Sequence, residues 1–267
     1  MALVDGYDLV IFDLDGVVIE GAAAVPGAPA ALGRLRAAGR AVAFATNNAS
    51  RRPADVAALL TGLGVAAAAA EVQTSARAAA QRLAADLPAA APVLAVGAPG
   101  LRAELADAGL TVVAGAADGP VAVVQGYGPQ VGWADLAEAC VAVRAGARWV
   151  ATNTDRTLPS ERGPLPGNGA LVAALATALG RQPDLVVGKP APELFQAAAR
   201  RAGARRALVV GDRLDTDIAG AVRAGMDSLL VLTGVSTRRE AAQAQPACRP
   251  TFVAPDLDAL FDAPPVP

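Results

Sequence analysis

Histidine is absent from all 267 residues. Its absence excludes Ser-His-Asp and Cys-His nucleophile systems and phosphohistidine chemistry, because each needs an imidazole to carry a proton or a phosphoryl group. A general acid in this chain must be Asp, Glu, Tyr, Cys or Lys. Cysteine occurs twice, at Cys140 and Cys248, far apart and in no metal-ligand spacing, so neither a disulfide framework nor a zinc site is expected. Lysine occurs once, as Lys189, against 22 arginines, which singles that residue out. Long apolar runs are also missing. Hydrophobic residues make up 54% of the chain, but many are alanines and none forms the ~20-residue span a bilayer requires, so a soluble protein with no membrane partner is expected. Met1 to Asp15 lacks the basic start and small-residue cleavage site of a secretory signal, which points to a cytoplasmic address. A net charge of -2 and a pI near 5.3 leave no basic footprint, so a small substrate fits better than nucleic acid.

The patterning alternates between two periods. Asp8 to Asp13 reads as a short buried strand ending at an acid. Residues 28–39 carry Leu32 and Leu35 at helical spacing and stop at Gly39, and Ala41 to Ala45 reads as the next strand, which makes a βαβ unit. Ser50 is expected to cap a helix starting near Pro53, and a further helix is expected over 74–87. After Pro88 and Pro92 a second alternating set begins, with strands at 93–96, 121–125 and 148–152 and helices at 100–108 and 134–145. From Asp184 the first pattern resumes, with strands at 185–187, 207–210 and 228–232 and helices at 191–202 and 217–224. The expected fold is α/β, a parallel-sheet core formed by residues 1–90 and 184–267 and interrupted by an inserted α/β cap over 91–183.

Four polar clusters follow the core strands, at the ends where ligands bind in open parallel sheets. They are Asp13-Leu14-Asp15-Gly16, Thr46-Asn47-Asn48, Gly188-Lys189-Pro190 and Gly211-Asp212. Any one alone could be a polar turn. Together, and in this order, they resemble the haloacid dehalogenase superfamily, and within it the branch of NagD-like and nitrophenyl phosphatases that carry a large α/β cap. The residues carrying the resemblance are DLDGVV at 13–18, TNNAS at 46–50, GKP at 188–190 and GDRLDTDI at 211–218; TS at 74–75 and ATNTD at 151–155 also fit the branch. Gly126-Tyr127-Gly128 departs from the branch's frequent Gly-aromatic-Asp. The resemblance implies a Rossmann-like core, a cap that sets substrate specificity, and a homodimer formed through the cap.

The chemistry of these residue types agrees. Phosphoester hydrolysis needs an in-line nucleophile, a proton for the leaving alkoxide and positive charge around the phosphoryl oxygens. Asp13, ionised at neutral pH, can attack phosphorus and split the reaction into two steps through an aspartyl-phosphate. Asp15, two positions on, can protonate the leaving oxygen and then take a proton from water. Asp13, Asp212 and a dianionic phosphate would repel one another by about 4 kcal/mol per pair at ~4 Å and an effective dielectric of 20, so a hard dication is required. With oxygen donors only, that ion is expected to be Mg2+. By resemblance its ligands are the Asp13 carboxylate, the Asp15 backbone carbonyl and Asp212. Asp217 is expected to hold a metal-bound water or to act from behind the metal ligands, its other reading being an acid favoured at a helix N-terminus. Thr46, Asn47 and Asn48 are candidate phosphate-binding donors, with turn formation as the other reading of Asn48. Lys189 can place a compact ammonium between nucleophile and phosphoryl group. Asn153 and Asp155 are read as structural, and Arg156 and Arg162 as solvated.

The expected function is therefore a magnesium-dependent phosphatase acting on a small phosphorylated metabolite. A phosphotransferase or phosphomutase of the same superfamily is the alternative among enzymes. Outside enzymes, the alternative is a phospho-accepting receiver-like module, although such modules are about half this length and lack a cap.

Overall fold

Leu9-Val10-Ile11-Phe12 is buried at all four positions, as required of a strand with layers packed on both faces. In the computed structural model, which describes residues 2–158, 160 and 162–264, this strand is β1 (Leu9–Phe12). The chain continues through a small antiparallel hairpin, β2 (Ile19–Glu20) and β3 (Ala23–Ala24), then α1 (Ala28–Ala37), β4 (Ala41–Thr46), α2 (Pro53–Gly62), β5 (Val72–Thr74) and α3 (Ser75–Asp86). Next come β6 (Pro92–Val96), α4 (Pro99–Asp107), β7 (Thr111–Val113), β8 (Ala122–Gln125), α5 (Trp133–Arg144) and β9 (Arg148–Ala151). A second hairpin, β10 (Thr157–Leu158) and β11 (Leu165–Pro166), precedes α6 (Asn168–Leu179) and β12 (Leu185–Val186). The chain ends with α7 (Glu193–Ala202), β13 (Ala207–Gly211), α8 (Ala219–Ala224), β14 (Asp227–Val231), α9 (Arg238–Ala242) and β15 (Phe252–Ala254).

The described chain forms two compact units. Unit 1 holds residues 1–46, 54–73 and 189–267; unit 2 holds 47–53 and 74–188. The main sheet of unit 1 runs in the order β15-β14-β13-β1-β4-β5. β1 is paired in parallel with both β13 and β4, so the strand order reverses direction around it. The carboxyl ends of these strands are where such a sheet leaves a crevice for ligands. Its core gathers Phe12, Leu32, Leu35, Phe44, Leu60, Val210 and Leu229, all at 0–1% exposure.

Unit 2 is built on a five-stranded parallel sheet, β12-β9-β8-β6-β7. Trp149 is fully buried at its centre with Leu94, Val123, Val172 and Leu175. The indole Nε1 donates to Gln125 Oε1 at 3.0 Å, the partner that a buried tryptophan needs. Thr74 caps α3 by accepting from the Arg77 N–H at 3.1 Å.

The structure differs from the sequence reading at several places. The strand expected at 185–187 does not resume the first sheet; β12 pairs with β9, Leu185 opposite Val150, and forms one edge of the second sheet. A short half-buried edge strand carries no sign of which sheet it joins. Apart from residues 47–53, which go with unit 2, the units change over at 73/74 and 188/189, whereas the expected boundaries lie at 90/91 and 183/184; α3 belongs with unit 2. The sequence pattern marks no element at 168–179, where α6 forms. The helix expected at 217–224 begins as one π turn, Leu214–Ile218, before α8. Among the described residues no helix is long and apolar enough to cross a membrane.

Candidate active site

Three carboxylates and one ammonium meet at the carboxyl end of the main sheet of unit 1. Asp13 directly follows β1, Asp212 directly follows β13, and Asp217 lies on the π turn. A carboxylate oxygen from each lies within 4.8 Å of the other two. Lys189 Nζ donates to Asp13 Oδ1 at 2.5 Å and lies 2.7 Å from Asp217 Oδ1. All four are buried, with exposures of 8% for Asp13, 3% for Lys189, 1% for Asp212 and 0% for Asp217. Gly211 makes room for this: a Cβ there would lie 2.2 Å from the Asp217 Cβ. Asp217 Oδ2 is fixed by the Arg213 N–H at 3.1 Å.

Burial of like charges sets the electrostatics. Burial raises the Asp13 pKa to about 6 against the pull of Lys189, with Asp212 and Asp15 adding to the rise. Burial and the Asp217 charge push Asp212 up to about 6, opposed by the Val235 N–H. Burial and Asp13 do the same to Asp217, which also reaches about 6. Burial works against the Lys189 ammonium, but Asp13 and Asp217 outweigh it and hold its pKa above the ordinary range. With every group ionised, three carboxylates face one ammonium, and two negative charges remain uncompensated in a buried place. Asp212 Oδ1 is buried without a hydrogen-bond partner among the described residues. A clustered oxygen donor set with excess negative charge and an unpartnered carboxylate oxygen fits a hard dication, with no sulfur or imidazole to favour a softer one.

The remaining expected residues are placed as follows. Asp15 is exposed on the loop after β1, where it forms a bridge with Ile19. Its carboxylate is not among the three that cluster. Thr46 is buried as the last residue of β4, the neighbour of β1.

Asn47 and Asn48 fall in unit 2. Asn47 Nδ2 donates to both oxygens of Asp155, at 3.2 and 3.0 Å, and its carbonyl accepts from Ser75 Oγ at 2.6 Å and Asn153 Nδ2 at 2.7 Å. Asp155 thus grips a residue of the second motif, a structural link between two segments far apart in sequence. Asn48 is exposed, and its Oδ1 accepts from the N–H and hydroxyl of Ser50, both at 2.8 Å, the turn-forming reading of this residue. Gly128, where the resemblance leads one to expect an acid, packs so closely that a Cβ would lie 2.7 Å from the Ala98 nitrogen. Arg156 and Arg162 are exposed.

Sequence reasoning also passes over Thr233, Gly234 and Val235, the segment just beyond β14 that contacts Asp212 and Gly16. The only signal was a Thr-Gly pair at a strand's carboxyl end.

Comparison with known proteins gives the family. Residues 10–111 match the family model of haloacid dehalogenase-like hydrolases, and residues 186–260 match a HAD-hydrolase-like model. D-glycerol 3-phosphate phosphatase of Mycobacterium tuberculosis is 50% identical over 254 residues, covering 95% of this chain and 71% of that protein. Human chronophin is 44% identical over 250 residues, covering 88% of this chain and 84% of its own. Among solved structures, the M. tuberculosis glycerol phosphate phosphatase in complex with magnesium superposes with a TM-score of 0.94 at 50% identity, covering 97% of this chain and 78% of that one. The 4-nitrophenylphosphatase of Thermotoga maritima gives 0.89 at 31% identity, covering 97% and 98%. The chain belongs to the haloacid dehalogenase-like hydrolase family, in its NagD-like, 4-nitrophenylphosphatase branch of phosphatases.

Proposed function

We propose that this protein is a magnesium-dependent phosphatase that hydrolyses a small phosphorylated metabolite through an aspartyl-phosphate on Asp13. The observation that carries the reading is the buried cluster of Asp13, Asp212 and Asp217 with Lys189 bridging two of the acids. Asp13, the carboxylate of Asp212 and the backbone carbonyl of Asp15 would hold the ion, with Asp217 supporting it through Lys189 or a bound water. When bound, Mg2+ supplies positive charge that offsets repulsion between Asp13 and the phosphoryl oxygens.

Asp13 attacks phosphorus and the bond from phosphorus to the ester oxygen breaks. Asp15, protonated at that moment, gives its proton to the departing alkoxide. Water then attacks the phosphoaspartate, Asp15 takes the proton, and phosphate leaves with Asp13 restored. The exposure of Asp15 suits a group that must meet both substrate and solvent. Lys189 holds Asp13 with one oxygen engaged, which fixes the attacking direction. Thr46 contributes a hydroxyl at the end of the neighbouring strand, and Asn47 and Asn48 are the remaining phosphate-side candidates.

The inserted α/β cap, expected at 91–183, is the specificity element in this reading. Glycerol 3-phosphate is the favoured substrate, since the 50% identical relative bears that activity in its name. A homodimer through the cap is part of the same proposal, supported by Trp133 and Val141 standing 84% and 57% exposed on α5. The test is phosphate release from glycerol 3-phosphate and 4-nitrophenyl phosphate, with magnesium and with chelator. Release from both that chelator abolishes is expected. No release from either ester overturns the phosphatase reading, and release undiminished by chelator removes the metal from it.

A further inference from the structure

One oxygen of Asp212 is held and crowded by backbone, while the other has no hydrogen-bond partner among the described residues. Oδ2 accepts the Val235 N–H at 2.8 Å. The carbonyl of Asp212 accepts the Ser236 N–H at 3.0 Å, and Ser236 Oγ accepts the Leu214 N–H at 3.1 Å. Thr233 Oγ1 donates to the Gly16 carbonyl at 2.6 Å, tying this loop to the one that carries Asp13 and Asp15.

The two glycines explain how the backbone comes so close. A Cβ on Gly234 would lie 2.1 Å from Asp212 Oδ2 and 2.6 Å from its Cγ. A Cβ on Gly16 would lie 2.6 Å from the same Oδ2, and Gly16 also adopts φ +79°, a conformation costly for any residue with a side chain. Two bare backbones therefore crowd the same oxygen of the carboxylate. Oδ1 remains, buried and without a hydrogen-bond partner among the described residues.

We propose that the 233–236 loop is a positioning element that makes Asp212 a one-oxygen cation ligand and so sets the site for a small octahedral ion in preference to calcium. The inference rests on the magnesium reading above. Mg2+ takes near-octahedral geometry at short distance and is served by one oxygen per carboxylate, whereas Ca2+ accepts six to eight oxygens and readily takes both from one carboxylate. With Oδ2 engaged by Val235 and walled by Gly16 and Gly234, the second oxygen is withheld. Thr233 holds the wall in place. Thr233, Gly234 and Val235 act through Asp212 rather than on substrate.

The test is thermal melting of the metal-free protein titrated with MgCl2 or CaCl2, which yields an apparent Kd for each ion without any turnover. Thr233→Val removes the hydroxyl at constant shape, Gly234→Ala places a methyl on Oδ2, and Thr233→Ser retains the hydroxyl. In Thr233→Val and Gly234→Ala, magnesium should bind about tenfold or more weakly, the scale set by loss of groups that orient a ligand. Calcium should lose less, so the preference for magnesium shrinks, and Thr233→Ser should keep the wild-type ratio. Thr233→Val alone carries the test if Gly234→Ala does not fold. Unchanged magnesium affinity in the variants, or equal weakening of both ions as a merely structural loop would give, overturns the proposal. A wild-type protein stabilised by neither ion overturns the magnesium reading and this proposal with it.

Discussion

Lys189 is the only lysine of the chain and lies 3% exposed between two acids. A guanidinium is larger, planar and spreads its charge over a fork, so it cannot occupy a slot with oxygens 2.5 and 2.7 Å from one nitrogen. Lys189→Arg should therefore lower kcat/KM for 4-nitrophenyl phosphate by at least about tenfold, short of the hundredfold or more typical of losing a preorganised donor outright. Its melting temperature should also fall, because overpacking a buried position costs about 1–3 kcal/mol. Steady-state kinetics beside a thermal melt decide the point: unaltered kinetics would take Lys189 out of the chemistry. Asp15 allows a sharper test of role. Asp15→Asn should slow an alkyl phosphate more than 4-nitrophenyl phosphate, whose leaving group needs less help from an acid. Equal losses on the two esters would argue against proton donation. These residues were legible in the sequence because charged groups at the ends of apolar runs stand out. The Val235 N–H was not, since a backbone donor is the same for every residue but proline.

At the scale of elements, β1, β4, β13 and β14 were readable as short apolar runs, because strands covered on both faces need little polar alternation. Helix α6 was not. Its sequence, NGALVAALATAL, is apolar nearly all round and offers no period to separate helix from strand. The sheet to which β12 belongs was equally hidden, since pairing partners depend on long-range topology rather than local pattern. Within unit 2 the Trp149–Gln125 hydrogen bond gives a direct stability test. Gln125 is fully buried and its Nε2 already lacks a hydrogen-bond partner among the described residues. Trp149→Phe removes the indole N–H and leaves Oε1 without its donor, which should cost about 1–3 kcal/mol. Chemical denaturation measures this, and a loss within error of zero would show that the amide finds another partner.

For the whole molecule, the buried acids fix how stability varies with pH. Asp13, Asp212 and Asp217 are each raised from 3.8 to about 6 on folding, so the folded state binds more protons than the unfolded state between those values. Their contribution is fully present below about 3.8 and is lost as pH rises through about 6. Asp8, Glu71, Asp86 and Asp184 are lowered, and their contribution has the opposite sign, failing only as pH drops below ordinary carboxylate values. Lys189, raised, keeps its contribution throughout. In chelator the protein should therefore melt at a higher temperature at pH 5.2 than at pH 7.5, in a window that belongs to the three-acid cluster. Saturating magnesium should reduce or reverse the difference, because a cation that neutralises the carboxylates stabilises their ionised form. A melting temperature that climbs with pH in chelator would show that the cluster does not titrate as a buried set.

The order in which the sheets are completed also has consequences for a chain being synthesised. β1, at the centre of the main sheet, has β4 on one side and β13 on the other, and β13 lies nearly two hundred residues downstream. As the chain emerges from the ribosome, the edge of β1 that β13 will cover stays open until residue 211 has been made. Unit 2, by contrast, has its whole sheet encoded between residues 92 and 186. Its strands can close on one another while unit 1 still lacks half of its own. Because long-range strand pairing is slow, amides of β6, β8 and β9 should gain protection from hydrogen exchange before those of β1 when refolding is pulse-labelled. Simultaneous protection would mean that the two sheets form in one cooperative step. If unit 2 does come first, the open flank of β1 is the segment most exposed to wrong pairing during synthesis, and the last sixty residues protect the chain from aggregation as well as supplying Asp212.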